Sequence, residues 1–274
     1  MYSSGLCIHS SSCDPVHSLF SVPVGSSAQI MRNLKMTIRY DGTEFCGWQT
    51  QPGVRTVQET FERAVATVTR ERVRAVASGR TDSGVHAYGQ VVNFFTNTRI
   101  DCAALLKGVN ANLPEDVDVT RCEVVGQAFC ANRDAVGKMY RYVINDGRLP
   151  DPFLRKYSWQ PRRILDVDAM HAAAQSLVGR HDFTSFETLG SPRLSSVRVI
   201  SFCNVYRHEE TVRIEVEANG FLYNMVRSIT GTLYNIGRAY WPVEQVKEIL
   251  EAQDRTKAGQ TAPPQGLFLV RVTY

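Results

Sequence analysis

Asp82 stands in a run, residues 78 to 90, that gathers three glycines, Arg80, Thr81 and His86 around one carboxylate. A carboxylate held in such a run can attack a carbon or accept a proton. The run separates two β-prone segments, residues 73 to 77 and 91 to 95, where a plain hairpin needs only about two to five turn residues. Loops of that length often carry function. The plainer reading is a glycine-rich connection with a solvated Asp, and the residue types alone leave both readings open. His86 is equally open between gripping a ligand and satisfying backbone groups within its own loop.

Two further side chains matter because of where their elements would point them. Tyr140, Tyr142 and Ile144 alternate along residues 138 to 144, so they share one face of a strand, and Tyr140 by itself reads as a core or cross-strand aromatic. Arg227 follows Val226 in a helix whose apolar stripe is Leu222, Val226, Ile229, Leu233 and Ile236. Just off that stripe, it either points into a cleft between halves or sits in solvent.

The elements that would position these residues are legible as periodicities. Met36, Ile38 and Tyr40 alternate with polar residues, predicting a half-buried strand that Asp41-Gly42-Thr43 ends. The loop that follows carries Phe45 and Trp48, read as anchors onto the core rather than platforms for stacking bases. Thr56-Val57-Gln58-Glu59 has the form of a capping box before a helix bearing Val57, Phe61, Ala64, Val65 and Val68 on one side. With the strands at 73 and 91 this makes a β-α-β-β run, the start of a ferredoxin-like or RRM-like sheet. A short helix near 103 to 109 and a strand at 117 to 125 follow.

Residues 147 to 165, rich in proline and charge, read as a connection. A helix from Asp166, two long strands, two helices and a strand from Leu267 then repeat the order loosely. The expected division is therefore an N-terminal extension (1 to 33), an N-terminal half (34 to 146), the connection, and a C-terminal half (166 to 274). The expected fold class is α+β, two ferredoxin-like or RRM-like halves with mainly antiparallel sheets that face one another or join edge to edge, with a central cleft.

Composition narrows the function classes. At 274 residues, 43% hydrophobic and 21% charged, the chain can build real cores. Its net charge of +4 permits a polyanionic partner without demanding one. Seven scattered cysteines without a Cys-x-x-Cys spacing argue against a disulfide framework and for a reducing cytoplasm. Six histidines without ligand spacing give no metal site, and no glycine pattern of a nucleotide-cofactor fold is present. No apolar run approaches the roughly 20 residues that span a membrane. Residues 1 to 30 hold nine serines, a single charged residue (Asp14) and no Lys or Arg. That fits neither a signal nor a transit peptide, so the segment is expected to lack regular structure or to precede the true start at Met31.

Gly79-Arg80-Thr81-Asp82-Ser83-Gly84-Val85-His86-Ala87, with Gly89-Gln90-Val91-Val92 after it, resembles the signature of the TruA family of tRNA pseudouridine synthases. The blocks Tyr40 to Thr43, Asn110 to Pro114, His181 to Phe186, Asn224 to Arg227 and Gly266 to Val270 occur in the same order as in that family, so the resemblance spans nearly all of residues 34 to 274. It implies isomerisation of uridine to pseudouridine in the anticodon stem-loop of tRNA, at tRNA positions 38, 39 and 40, by a homodimer without cofactor or metal. It further implies Asp82 as the catalytic carboxylate, Tyr140 as the aromatic against the target base, and Arg227 as the charge beside Asp82. Arg80, His86 and Leu267 would belong to the grip on RNA. The chain departs from the family at Ser83, usually Ala, and at Cys130 and Asn132, usually His and Arg. If those last two positions touch RNA, this part of the substrate is held differently here. The rival reading is a non-catalytic RNA-binding module of RRM type, which would have no use for a carboxylate facing a polyanion.

Overall fold

The computed structural model describes residues 31–188 and 195–274, so the expectations for residues 1–30 lie outside the described residues. In chain order the elements are β1 (Arg32–Tyr40), α1 (Val57–Thr69), β2 (Val76–Ala77), β3 (His86–Thr96), α2 (Cys102–Asn110) and β4 (Val117–Val125). Then come β5 (Gly137–Ile144), α3 (Val167–Gln175), β6 (Gly179–Asp182), β7 (Val197–His208), β8 (Thr211–Ala218), α4 (Met225–Gly237), α5 (Gln245–Ala252) and β9 (Leu267–Thr273).

The strands form one sheet in the order β4-β1-β3-β9-β5-β8-β7-β6, with β2 attached to β3. The two halves are thus joined edge to edge. The joint is β9, the last strand, which runs antiparallel to β5 and parallel to β3 at His86↔Phe268 and Ala87↔Leu269. β5, which precedes the connection in sequence, is flanked by β8 and β9. β1 begins at Arg32, ahead of the expected start at 34.

Strand registers carry one face of the sheet across this joint. Tyr40 pairs with Ala87, Ala87 with Leu269, Leu269 with Tyr140, and Tyr140 with Val216. Paired residues share a face, and these are all buried. The helices lie on this face in two groups, as Phe61 of α1 meets Phe94 of β3 edge-on at 5.9 Å and the α4 stripe Val226, Ile229, Leu233 and Ile236 is fully withdrawn from solvent. Tyr40, Ala87, Leu269 and Tyr140 floor the gap between the groups.

The expected capping box does not form. Thr56 has the extended backbone of an N-cap, but its side chain makes no cap bond and its hydroxyl is buried without a partner. Carbonyls of the preceding loop do the work instead: Val57 N–H donates to Gly47 O at 3.2 Å and Gln58 N–H to Trp48 O at 3.0 Å, satisfying two of the orphan donors of the first turn. The start of α1 is therefore welded to the loop bearing Phe45 and Trp48, both 2% exposed. The anchor reading of those aromatics matches this burial.

Candidate active site

Asp82 lies on the loop between β2 and β3, which spans residues 78 to 85 because β3 already begins at His86. Both flanks of the carboxylate are pinned. Upstream, the Ser78 carbonyl accepts from Lys138 Nζ at 2.6 Å and Asn132 Nδ2 at 2.9 Å, and the Gly79 carbonyl from Gln90 Nε2 at 2.8 Å. Next to Asp82, Thr81 is held twice, its hydroxyl 2.8 Å from that of Tyr40 and its carbonyl accepting from Trp48 N–H at 3.0 Å. Downstream, Val85 N–H donates to the Asp82 carbonyl at 3.1 Å and Ser83 Oγ to Phe45 O at 3.2 Å.

Gly47 makes this bracing possible. Its φ of 83° is a left-handed value that side chains resist, and a Cβ there would stand 2.7 Å from the Thr81 carbonyl oxygen.

The second half supplies Arg227 from α4. Its Nη1 lies 3.3 Å from Asp82 Oδ2, across 145 residues of sequence. The guanidinium is held more tightly elsewhere, with Nε on the Ala262 carbonyl at 2.7 Å and Nη1 on Asn224 Oδ1 at 2.8 Å. Ala262 N–H returns a bond to the Arg227 carbonyl at 3.1 Å, so Arg227 is fixed at both backbone and side chain. Desolvation and Arg227 act on the Asp82 carboxyl in opposite directions. Burial is the larger, and it leaves the group above the usual carboxylate range in spite of the guanidinium.

Tyr140 forms the floor, 9% exposed, with Phe221 edge-on at 5.0 Å. Its hydroxyl is pushed well above the ordinary tyrosine value, first by burial and then by Tyr40 and Asp82. It is therefore a phenol at neutral pH. Leu267 is buried on the same face, opposite Tyr142.

Of the residues expected from sequence, Asp82, Tyr140 and Arg227 converge, and Arg80 stands exposed on the same loop with no ion pair among the described residues. His86 does not join them. As the first residue of β3 it alternates away from Ala87 and turns to the opposite face of the sheet, where it stacks on Phe268 at 4.7 Å. It is 1% exposed. Nδ1 accepts from Gly42 N–H at 3.0 Å, while Nε2 faces the Lys156 and Gln265 carbonyls at 3.0 and 3.2 Å. Burial lowers its pKa, which suits the neutral tautomer with Nε2–H as donor. The ring thus satisfies backbone groups, though of three distant segments rather than of its own loop.

Three residues of the site were missed in the sequence. Tyr40 holds Thr81, Asn224 holds Arg227, and Lys138 holds Ser78 from beneath; burial alone pulls the Lys138 ammonium below the usual lysine range. A signal existed for Lys138, since it alternates with Tyr140 and Tyr142 and a lysine on a buried strand face needs a partner. Asn132 braces the loop, and Cys130 is buried with its N–H on Asp134 Oδ2 at 2.9 Å.

Among the described residues there is no cluster of His, Cys, Asp and Glu able to hold a metal, and no helix long and apolar enough to cross a membrane. A family model described as tRNA pseudouridine synthase matches residues 36–133 and 173–274, a span that includes Asp82 and Arg227. The chain is 43% identical over 244 residues to tRNA pseudouridine synthase A of a Thermoanaerobacter species, covering 89% of this chain and 100% of that protein. The protein of the same name from Acetivibrio thermocellus is 41% identical over 244 residues, with the same coverage of both chains. That from Lysinibacillus sphaericus is 42% identical over 246 residues, covering 89% of this chain and all of its own. With matches of this extent on both sides of the cleft, the chain belongs to the tRNA pseudouridine synthase family.

Proposed function

We propose that the protein isomerises uridine to pseudouridine in the anticodon stem-loop of tRNA, at the positions the resemblance implies, with Asp82 as the essential carboxylate. The reading rests on one observation: in a member of this family, Asp82 and Arg227, from different halves of the sheet, meet at 3.3 Å above Tyr140. The reaction breaks the bond from C1′ to N1 and makes one from C1′ to C5. N1 gains a proton and C5 loses one, so atoms and electrons balance without a co-reactant. What the protein must supply is a carboxylate near the sugar, a flat surface for the detached base and a site that keeps water out.

Each residue then has a role that follows from its placement. Asp82 acts at the sugar, either on C1′ as a nucleophile or on a sugar proton as a base. Arg227 stabilises the ionised form of that carboxyl against its burial. Tyr140 offers its ring to the base, and Leu267 adds to the apolar floor. Arg80 meets the RNA backbone or fills the gap left when the uridine is turned out of its stack. The enzyme works as a homodimer in the cytoplasm, a setting compatible with the free cysteines Cys46, Cys102, Cys122 and Cys203.

The test is incubation of the pure protein with unmodified tRNA transcripts, followed by mapping of pseudouridine. Product confined to the anticodon stem-loop, lost in Asp82→Asn, is expected. Tight tRNA binding by the wild type without any product would favour the RNA-binding module instead.

A further inference from the structure

Asn224 sits immediately before α4 in the left-handed region, with φ 61° and ψ 7°. Asn is among the side chains that tolerate this conformation best, and five other non-glycine residues adopt positive φ among the described residues, so what sets Asn224 apart is where its side chain goes. The usual reason for an Asn at a helix start is to cap the first turn, yet its side chain makes no bond to the α4 N–H groups. Instead Oδ1 accepts from Arg227 Nη1 at 2.8 Å, and Nδ2 donates to Thr188 Oγ1 at 3.1 Å. A second bond, Thr188 N–H to the Tyr223 carbonyl at 3.1 Å, holds that segment in place.

A guanidinium is planar, so two contacts at different nitrogens fix its orientation. Ala262 O fixes Nε and Asn224 Oδ1 takes one proton of Nη1. The other Nη1 proton is then left facing Asp82, and Nη2 has no partner among the described residues. We propose that Asn224 is a positioning residue, which sets the plane of Arg227 so that Nη1 serves Asp82 while Nη2 is presented to the substrate. The left-handed backbone is what brings an acceptor to this spot, three residues before the arginine it orients. The substrate half of this statement rests on the proposed function; the geometry between Arg227 and Asp82 does not.

Two substitutions separate positioning from backbone support. Glycine accepts the left-handed conformation and alanine resists it, but both remove the acceptor. If Asn224 positions Arg227, Asn224→Gly and Asn224→Ala should be equally slow, kcat falling about 10- to 100-fold as for loss of a hydrogen bond to a charged group. KM for tRNA should stay within about threefold, and the Gly variant should still melt cooperatively. If Asn224 only holds the backbone, the Gly variant should keep full activity and the Ala variant should suffer.

A second readout needs no RNA. In the free protein, the Asp82 carboxyl titration followed by NMR should move upward by about one pH unit in Asn224→Gly, because a misaligned Arg227 opposes burial less. Of the other titratable groups on the elements packed against the loop, Tyr140 on β5 interacts with that carboxyl, while Lys138 on β5 and Tyr40 on β1 are held by Ser78 and Thr81 and Arg80 is exposed; these variants alter none of them. A Gly variant with kcat within twofold of wild type, or an unmoved Asp82 titration, overturns the proposal. Should wild type make no pseudouridine in tRNA while the titration still moves, the functional reading fails and the positioning role stands.

Discussion

At the scale of single residues, the decisive balance is at Asp82, where burial outweighs Arg227 and leaves the carboxyl above its usual range. A group that binds its proton more tightly in the folded state costs stability as pH rises from the ordinary value through the raised one. Asp82→Asn removes that cost, so its melting temperature at neutral pH should be equal to or higher than wild type. If the carboxylate serves the transition state as proposed, turnover should vanish and tRNA affinity should change only a few fold. Calorimetry and a product assay check both, and residual activity above about one percent would deny Asp82 its essential role. With the ionised carboxylate as the proposed working form, the acid limb of kcat/KM should also lie above the range of an ordinary Asp. Tyr140 makes a separate prediction. Stacking against a base is worth about 1–3 kcal/mol, so Tyr140→Leu should lose roughly ten- to a hundredfold in rate. If Tyr140 relays the C5 proton, as we propose, Tyr140→Phe should still cleave the glycosidic bond yet fail to finish. The Tyr140 hydroxyl is a phenol here, so it takes the C5 proton only as it gives its own to a base, and the proposed acceptor is the Asp82 carboxylate, whose charge acts on it. Single-turnover kinetics that resolve cleavage from product release decide this, and complete product from the Phe variant would reduce Tyr140 to a stacking surface.

At the scale of elements, the Asp82 loop is a suspended segment, and its supports decide how well the carboxylate is aimed. Gly47→Ala should show this directly. The new Cβ meets the Thr81 carbonyl at 2.7 Å in a left-handed backbone, so the loop must shift, and a displacement of about 1 Å can cost on the order of a hundredfold in rate. Steady-state kinetics on a variant that still melts cooperatively are the check, and a near-normal kcat would mean the loop is not set by its neighbour. Phe61, Val226 and Ile229 were legible because helical periodicity is local, and the burial of α1 and α4 follows it. The four-residue β6 and the central place of β9 were not legible, since pairing between distant strands leaves no mark on local pattern. The same distinction holds in the site. Asp82 and Arg227 stood out by motif and by position off a stripe, whereas Asn224 acts through a backbone conformation that sequence does not display. His86 was put in the loop because a glycine-rich run hides where β3 begins, and that one boundary decides which face its ring takes.

At the scale of the molecule, several cations on one face of the sheet are paired with carboxylates, whereas Arg80 on the Asp82 loop is not paired among the described residues. On the face away from the helices, Lys35 pairs with Glu123 at 2.7 Å, Arg39 with Asp118 at 2.6 Å and Arg141 with Glu215 at 2.6 Å. Surface pairs of this kind, half-buried at Lys35–Glu123 and Arg141–Glu215 and more exposed at Arg39–Asp118, cancel the field that a polyanion would feel. Arg80 differs, being exposed on the loop that carries Asp82 with no ion pair among the described residues. A phosphate neutralised by one cation steepens the dependence of log affinity on log salt by about 0.7 for a single strand and about 0.9 for a duplex. Arg80→Ala should therefore flatten the salt dependence of tRNA binding by close to one such increment, weakening different tRNAs to a similar degree. Arg39→Ala, which takes a cation already matched by Asp118, should leave the slope as it is. Titrations of both variants with an unmodified tRNA transcript across a range of salt would measure it. Equal slopes for wild type and Arg80→Ala would remove Arg80 from the phosphate contacts and leave it the role of filling the gap behind the flipped uridine.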